Sequence, residues 1–255
     1  MTPMIRPALG LAVVTLLAAR PAYADLQVRM PQVDYLELEF EHNGLVTFDS
    51  KGSPLNHAQS YTNSIGYGVT PWWAIELEGE MSSGGGQHLT WNAVTLENTF
   101  QLTQPGEYFF NLGFFVEYSQ STLRGQPSGI TAGPIIQKEL NDVFGIDTLH
   151  TLNVLLSRDV GHDASRATGL QVSWQSVAEL TPLIAPGFEY YGIIEDIAHP
   201  SPSSQQQHLI GPVLTGAKSF APYGKLKYEV GYLFGLTPAS GRSAVRWKLE
   251  YEITF

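Results

Sequence analysis

Cysteine is absent from all 255 residues of the chain. No disulfide can therefore staple it, and its stability must come from extensive secondary structure. Long apolar runs are also missing once the first 24 residues are passed. No later stretch approaches the roughly 20 residues that a membrane-spanning helix needs. If the remainder crosses a bilayer, it must do so as a closed barrel, because only helices and closed barrels satisfy every backbone polar group in lipid. Cationic residues are scarce: 14 Lys and Arg stand against 24 Asp and Glu, a formal charge of -10. That balance argues against nucleic acid as a partner and against a basic, anion-selective surface.

What is present begins with an expected export signal. Arg6 gives a positive start, residues 8–19 form an almost unbroken apolar run, and Ala22-Tyr23-Ala24 supplies a small-x-small cleavage site. The run is short for a spanning anchor, and no cysteine follows it to carry a lipid. The expected division is a signal peptide over residues 1–24 and a mature domain over 25–255. About 230 residues remain after cleavage, enough for one domain or one sizeable barrel.

Alternation, not helical spacing, organises that domain. From residue 245 onward Val245, Trp247, Leu249, Tyr251, Ile253 and Phe255 share one parity, and Arg246, Lys248, Glu250, Glu252 and Thr254 the other. Successive side chains point to opposite faces of a strand, so one face is apolar and the other ionic. The same reading covers Leu36, Leu38 and Phe40 against Glu37, Glu39 and Glu41. It covers Trp73, Ile75, Leu77 and Met81 against Glu76, Glu78 and Glu80. It extends to Tyr108 through Tyr118 opposite Asn111, Gly113 and Glu117, and to Leu226 through Phe234 opposite Lys225, Lys227 and Glu229. Between Leu89 and Leu102 the phase slips, which predicts a bulge near Ala93. Leu170, Val172 and Trp174 alternate likewise with Gln171, Ser173 and Gln175; with the softer segments 129–140, 147–158, 186–197 and 207–220, and with 59–69, about twelve strands are expected.

The links between them fall into two alternating kinds. Tight, turn-forming links are expected at 70–72, 103–106, 141–145, 181–182 and 221–224. Looser polar links are expected at 43–58, 82–87, 120–127, 160–166, 198–206 and 237–242. Outer-membrane barrels place short turns on the periplasmic side and longer loops outside. Trp72, Trp73, Tyr108, Phe220, Tyr223 and Tyr228 fall near the short turns, and Trp91, Trp247 and Tyr118 nearer the other rim, as expected of two aromatic girdles. The predicted fold class is therefore all-β, an antiparallel up-and-down transmembrane barrel.

If the apolar parity faces lipid, the ionic parity faces a lumen. The expected lumen-lining residues are Glu37, Glu39, Glu41, Glu76, Glu78, Glu80, Glu97, Glu117, Arg246, Lys248, Glu250 and Glu252. So many carboxylates cannot sit in a dry interior unpaired. Either water fills the lumen, with carboxylate rings favouring cations, or acids and bases pair into a polar filling. No catalytic, cofactor or metal residue is assigned. Six of the seven histidines fall in the expected outer loops or strand ends, near Asp49, Asp163 and Asp196, without a recognised ligand spacing. His57 and Ser60 could form a rim Ser-His pair, a signal of low specificity. Gly84-Gly85-Gly86 is followed by neither a helix nor a Lys-Ser/Thr pair, so it is a loop tip and no phosphate cradle.

The export signal, the regular hairpins and the closing Glu252-Ile253-Thr254-Phe255 resemble a bacterial outer-membrane β-barrel. That resemblance implies residence in the outer-membrane lipid of a Gram-negative envelope, and recognition by the barrel-assembly machinery through the C-terminal strand. Residues 63–80, NSIGYGVTPWWAIELEGE, are also similar to hairpins of the phenol-degradation-pathway (MetA-like) family, with a glycine-bearing strand, a short turn and a strand running from tryptophan to Glu-Leu. That likeness implies a channel for small molecules, often aromatic or hydrophobic, and carries over no binding residue. The expected function is a porin-like barrel for passive passage of small cationic or neutral solutes, hydrophobic ones included. A non-conducting structural or surface-interaction barrel is the alternative, and a rim lipid hydrolase a lesser one.

Overall fold

The computed structural model describes residues 26–162 and 164–255. The proposed signal peptide and Asp163 lie outside the described residues. Twelve antiparallel strands follow one another around a closed barrel: β1 (Glu37–Phe48), β2 (Gln59–Thr70), β3 (Trp73–Ser83), β4 (Thr90–Gln101), β5 (Asn111–Ser121) and β6 (Ser128–Val143) make the first half. The second half is β7 (Ile146–Val160), β8 (Thr168–Ala178), β9 (Ala185–Ile194), β10 (Gln207–Ser219), β11 (Lys225–Gly235) and β12 (Ser243–Thr254). Each strand pairs with its sequence neighbours, and β12 closes on β1 from Glu37↔Thr254 to Phe48↔Ser243. Closure leaves no strand edge with unpaired N–H and C=O groups. Among the described residues no helix is long and apolar enough to cross a membrane.

Alternation places the side chains as the pattern requires. Phe40, Ile65, Leu77, Leu96 and Tyr118 form one cross-strand row over five adjacent strands. All five are exposed on the outer wall. A soluble protein rarely shows so large an apolar surface, whereas lipid tails would cover it. Two tryptophans on this wall lie flat over glycines. A Cβ on Gly44 would stand 2.1 Å from the Trp247 ring, and one on Gly79 would stand 2.4 Å from the Trp91 ring. Only a residue without a side chain lets the indole lie across the neighbouring strand.

Two boundaries differ most from the sequence reading. β1 runs on to Phe48, so residues 43–48 are strand and only 49–58 are loop. Leu45 and Thr47 explain the miss, because they are buried inside the barrel and break the glutamate parity with uncharged residues. His42 consequently sits in mid-strand on the outer wall, stacked against Tyr61 at 6.2 Å. The β4–β5 link is also longer than a tight turn, because β5 starts at Asn111. Tyr108, Phe109 and Phe110 leave the ladder and spread on the rim, with the Lys138 ammonium 4.4 Å from the Phe109 ring centre. The slip in β4 does occur: Glu80 pairs with Ala93 and Met81 with Trp91, leaving Asn92 as the extra residue of a bulge.

Candidate functional site

The strand registers bring the acidic residues into rows across the inner wall. Glu252 of β12 lies opposite Glu39 of β1, Glu39 opposite Gly66, Gly66 opposite Glu76, Glu76 opposite Glu97, and Glu97 opposite Glu117. This belt spans six adjacent strands, and only Gly66 interrupts it. One pleat further from the short turns, a second row joins Glu250, Glu41, Ser64, Glu78 and Thr95. Directly opposed like charges destabilise a sheet, so both rows need cations from elsewhere.

The cations come from two sources. The first is the wall itself. Lys225 and Lys227 reach Glu252, Lys227 lies 2.7 Å from Glu250, and Lys248 bridges Glu41 and Glu250. Deeper in, Arg246 donates from Nε to Glu189 and from Nη2 to Glu229 at 2.5 and 2.6 Å, and the Tyr191 hydroxyl donates to Glu189. Glu189 is 0 % exposed and Arg246 2 %, so this is a desolvated ion cluster.

The second source is an irregular strap, residues 26–36, which runs inside the barrel over 26–33 and comes out at the exposed Asp34 and Tyr35 before β1 begins. Its Arg29 guanidinium lies 2.8 Å from Glu97, 3.6 Å from Glu117 and over the Phe115 ring, 4.0 Å from its centre. Both main-chain polar groups of Arg29 are taken by one side chain. The Arg29 N–H donates to Asn153 Oδ1 at 2.7 Å, and Asn153 Nδ2 donates to the Arg29 carbonyl at 2.9 Å. Further along, Val33 N–H donates to Gln101, and Gln32 donates to Gln137. Leu26 and Val28 enter an interior apolar cluster with Leu45, Tyr191, Leu209 and Leu233.

Below the strap lies a cavity of about 920 Å³ that reaches the short-turn rim. Eleven acidic and four basic residues line it, so its field attracts cations. At that rim the carboxyl of Glu179, in the β8–β9 link, is pushed above its ordinary range by burial and by the charges of Glu139 and Asp147.

The residues singled out from sequence are distributed through these features. Glu37, Glu39, Glu41, Glu76, Glu97, Lys248, Glu250 and Glu252 border the cavity. Glu78 is buried in the second row, and Glu80 accepts from Thr95 and Ser119. Glu117 accepts from Thr131 and meets Arg29, and Arg246 forms the deep cluster with Glu189. Ser60 is buried, while the His57 ring packs edge-on against Phe48 at 5.9 Å. The outer-loop His199 bonds Asp196 at 3.2 Å, and the Ala198 N–H and His199 hold that carboxyl below its ordinary range. Among the described residues, the carboxylate triplets tight enough for a cation are Asp34/Glu37/Glu252 and Glu39/Glu41/Glu250, and no histidine joins them. Lys225 and Lys248 already stand against their members.

Sequence reasoning passed over the strap and the apolar interior. Phe115, Ile135 and Leu155 form a second buried cluster on the lumen parity. A signal for it was present, because Phe115 shares its parity with Gly113 and Glu117. Arg29, a lone cation ahead of the first glutamate strand, was the corresponding signal for the strap.

The fold defines a class, the twelve-stranded up-and-down barrel with an apolar exterior and a polar, partly filled interior. Among solved structures the chain is similar to the COG4313 outer membrane channel from Pseudomonas putida F1, with a TM-score of 0.56 and 12% identity over 93% of this chain and 100% of that one. It is also similar to the NanC porin in a rhombohedral crystal form, with a TM-score of 0.52 and 12% identity over 85% of this chain and 100% of that one. At such identity the likeness is one of fold. No protein-family profile matches the chain, and no curated protein matches it either.

Proposed function

We propose that the chain is an outer-membrane channel for passive passage of small cationic or neutral solutes. In this reading residues 1–24 export it, the outer apolar wall meets lipid, and the C-terminal strand engages the barrel-assembly machinery. Membership of the phenol-degradation-pathway family is part of the same proposal and rests on the hairpin of residues 63–80. The observation that carries the reading is the belt Glu252–Glu39–Glu76–Glu97–Glu117, drawn across six strands beside a cavity that reaches a rim. Carboxylate rows in a wet enclosure lower the energy of a passing cation and raise that of an anion. The two channel-type barrels of similar fold support the reading, and neither supplies a solute.

Planar bilayers test it. The purified barrel should conduct, and its reversal potential in a KCl gradient should show cation preference. Changing Glu76, Glu78 and Glu80 together to Gln should lower that preference. Silent bilayers from a folded, heat-modifiable barrel would favour a second reading, a non-conducting structural barrel. The buried ion cluster at Arg246 and the strap across the lumen are the observations on its side. A rim lipid hydrolase has less support, since Ser60 is buried and the His57 ring packs on Phe48. Phospholipid turnover that disappears in His57→Ala would restore it.

A further inference from the structure

The strap is a separate object inside the barrel wall. Residues 26–36 belong to no strand, and their described polar contacts at the centre are to side chains of the wall instead of a β-ladder. Asn153, itself 0 % exposed, holds both main-chain polar groups of one residue, the N–H and the carbonyl of Arg29. A side-chain clamp of this kind can open without unzipping a sheet.

What the strap places in the barrel has a definite chemistry. A planar cation lies between two carboxylates and an aromatic face, at Glu97, Glu117 and Phe115. Charge assistance and the ring quadrupole both favour a guanidinium there. Beside it an apolar chain, Leu26 and Val28, enters a greasy cluster. An inorganic ion would use the carboxylates and gain nothing from that cluster. A neutral hydrocarbon would use the cluster and leave the carboxylates without a cation.

We propose that the groove filled by residues 26–33 is the channel's solute-binding site, that the strap is a displaceable internal ligand, and that the solute it imitates is an organic cation with an apolar body. This deepens the channel reading by naming a solute class. It rests on that reading for passage, but not for binding. The strap is tethered, so it competes at high effective concentration and lowers the apparent affinity of any free ligand. If the groove is free about a tenth of the time, the apparent Kd is raised about tenfold.

The test compares the full barrel with a variant lacking residues 26–33 and with Asn153→Ala, which keeps the whole strap and all the carboxylates. Hexylguanidinium is the probe, hexanoate and plain guanidinium are the controls, and calorimetry in detergent is read against barrel-free micelles. Hexylguanidinium should bind the deletion variant about tenfold more tightly than the full barrel. Asn153→Ala should shift in the same direction, and it decides the matter if the deletion fails to show heat-modifiable folding. Guanidinium should bind more weakly than hexylguanidinium, and hexanoate should not bind. Adding Glu97→Gln to the deletion should remove the gain. Equal affinity with and without the strap, or equal binding of hexanoate, would overturn the proposal. Binding in a barrel that never conducts would end the channel reading and leave the groove standing. Conductance with no binding of hexylguanidinium would do the reverse.

Discussion

Replacing Arg246 with Met tests whether the upper interior is dry. The guanidinium sits between Glu189 and Glu229 at 2.5 and 2.6 Å, with Glu189 fully buried and also held by the Tyr191 hydroxyl. Met retains most of the aliphatic volume but removes the only charge drawn against Glu189 in this cluster among the described ion pairs. Breaking a desolvated pair from one side costs about 3–5 kcal/mol, because a buried carboxylate is left behind. In a water-filled lumen the same change would cost about 0–1 kcal/mol, as for solvated pairs. The assay is equilibrium guanidinium unfolding from lipid vesicles, followed by tryptophan emission and by heat-modifiable mobility. Arg246→Met combined with Glu189→Gln should recover part of the loss, with a coupling of about 0.5–3 kcal/mol between the sites. An Arg246→Met barrel within about 1 kcal/mol of the parent, at unchanged denaturant slope, would refute the reasoning. Water would then reach this cluster.

Other expectations follow from single features. Gly44→Val drives a side chain into the Trp247 ring, where even a Cβ would stand 2.1 Å away. It should cost about 1–3 kcal/mol and change the tryptophan emission, whereas Gly129→Ala, with open space around it, should do neither. Glu179 has its carboxyl pushed up by burial and by Glu139 and Asp147, so the folded state holds its proton more tightly than the unfolded chain does. Its contribution is therefore favourable at low pH and is lost as pH rises through the folded value. Glu179→Gln should raise the unfolding midpoint at neutral pH and flatten that slope, and an unchanged pH profile would count against the burial argument. Removing Asn92 deletes the extra residue of the β4 bulge, so Trp91 and Ala93 would follow each other in unbroken register opposite Met81 and Glu80, with Glu97 still facing inward. That variant should still give a heat-modifiable barrel, and loss of folding would refute the register.

By itself the sequence determined the strand period, the number of strands, the apolar outer wall and the slip in β4. Each of these follows from local alternation, because consecutive side chains on a strand must take opposite faces whatever their partners are. It also determined that many carboxylates share one parity, as at Glu37, Glu39 and Glu41. Only the tertiary structure decided that Glu39, Glu76, Glu97 and Glu117 form one row, since that depends on the register in which each pair of neighbouring strands meets, which alternation leaves open. The end of β1 was hidden for the same reason. Leu45 looks misplaced among glutamates until Tyr191, Leu209 and Leu233 arrive from β9, β10 and β11 to cover it. The strap was hidden most deeply, because residues 26–36 carry no period, and what holds them is an amide, two carboxylates and an aromatic ring contributed by three other strands. Periodicity reports which face a residue takes, whereas the contents of a closed barrel are fixed by what the closure brings together.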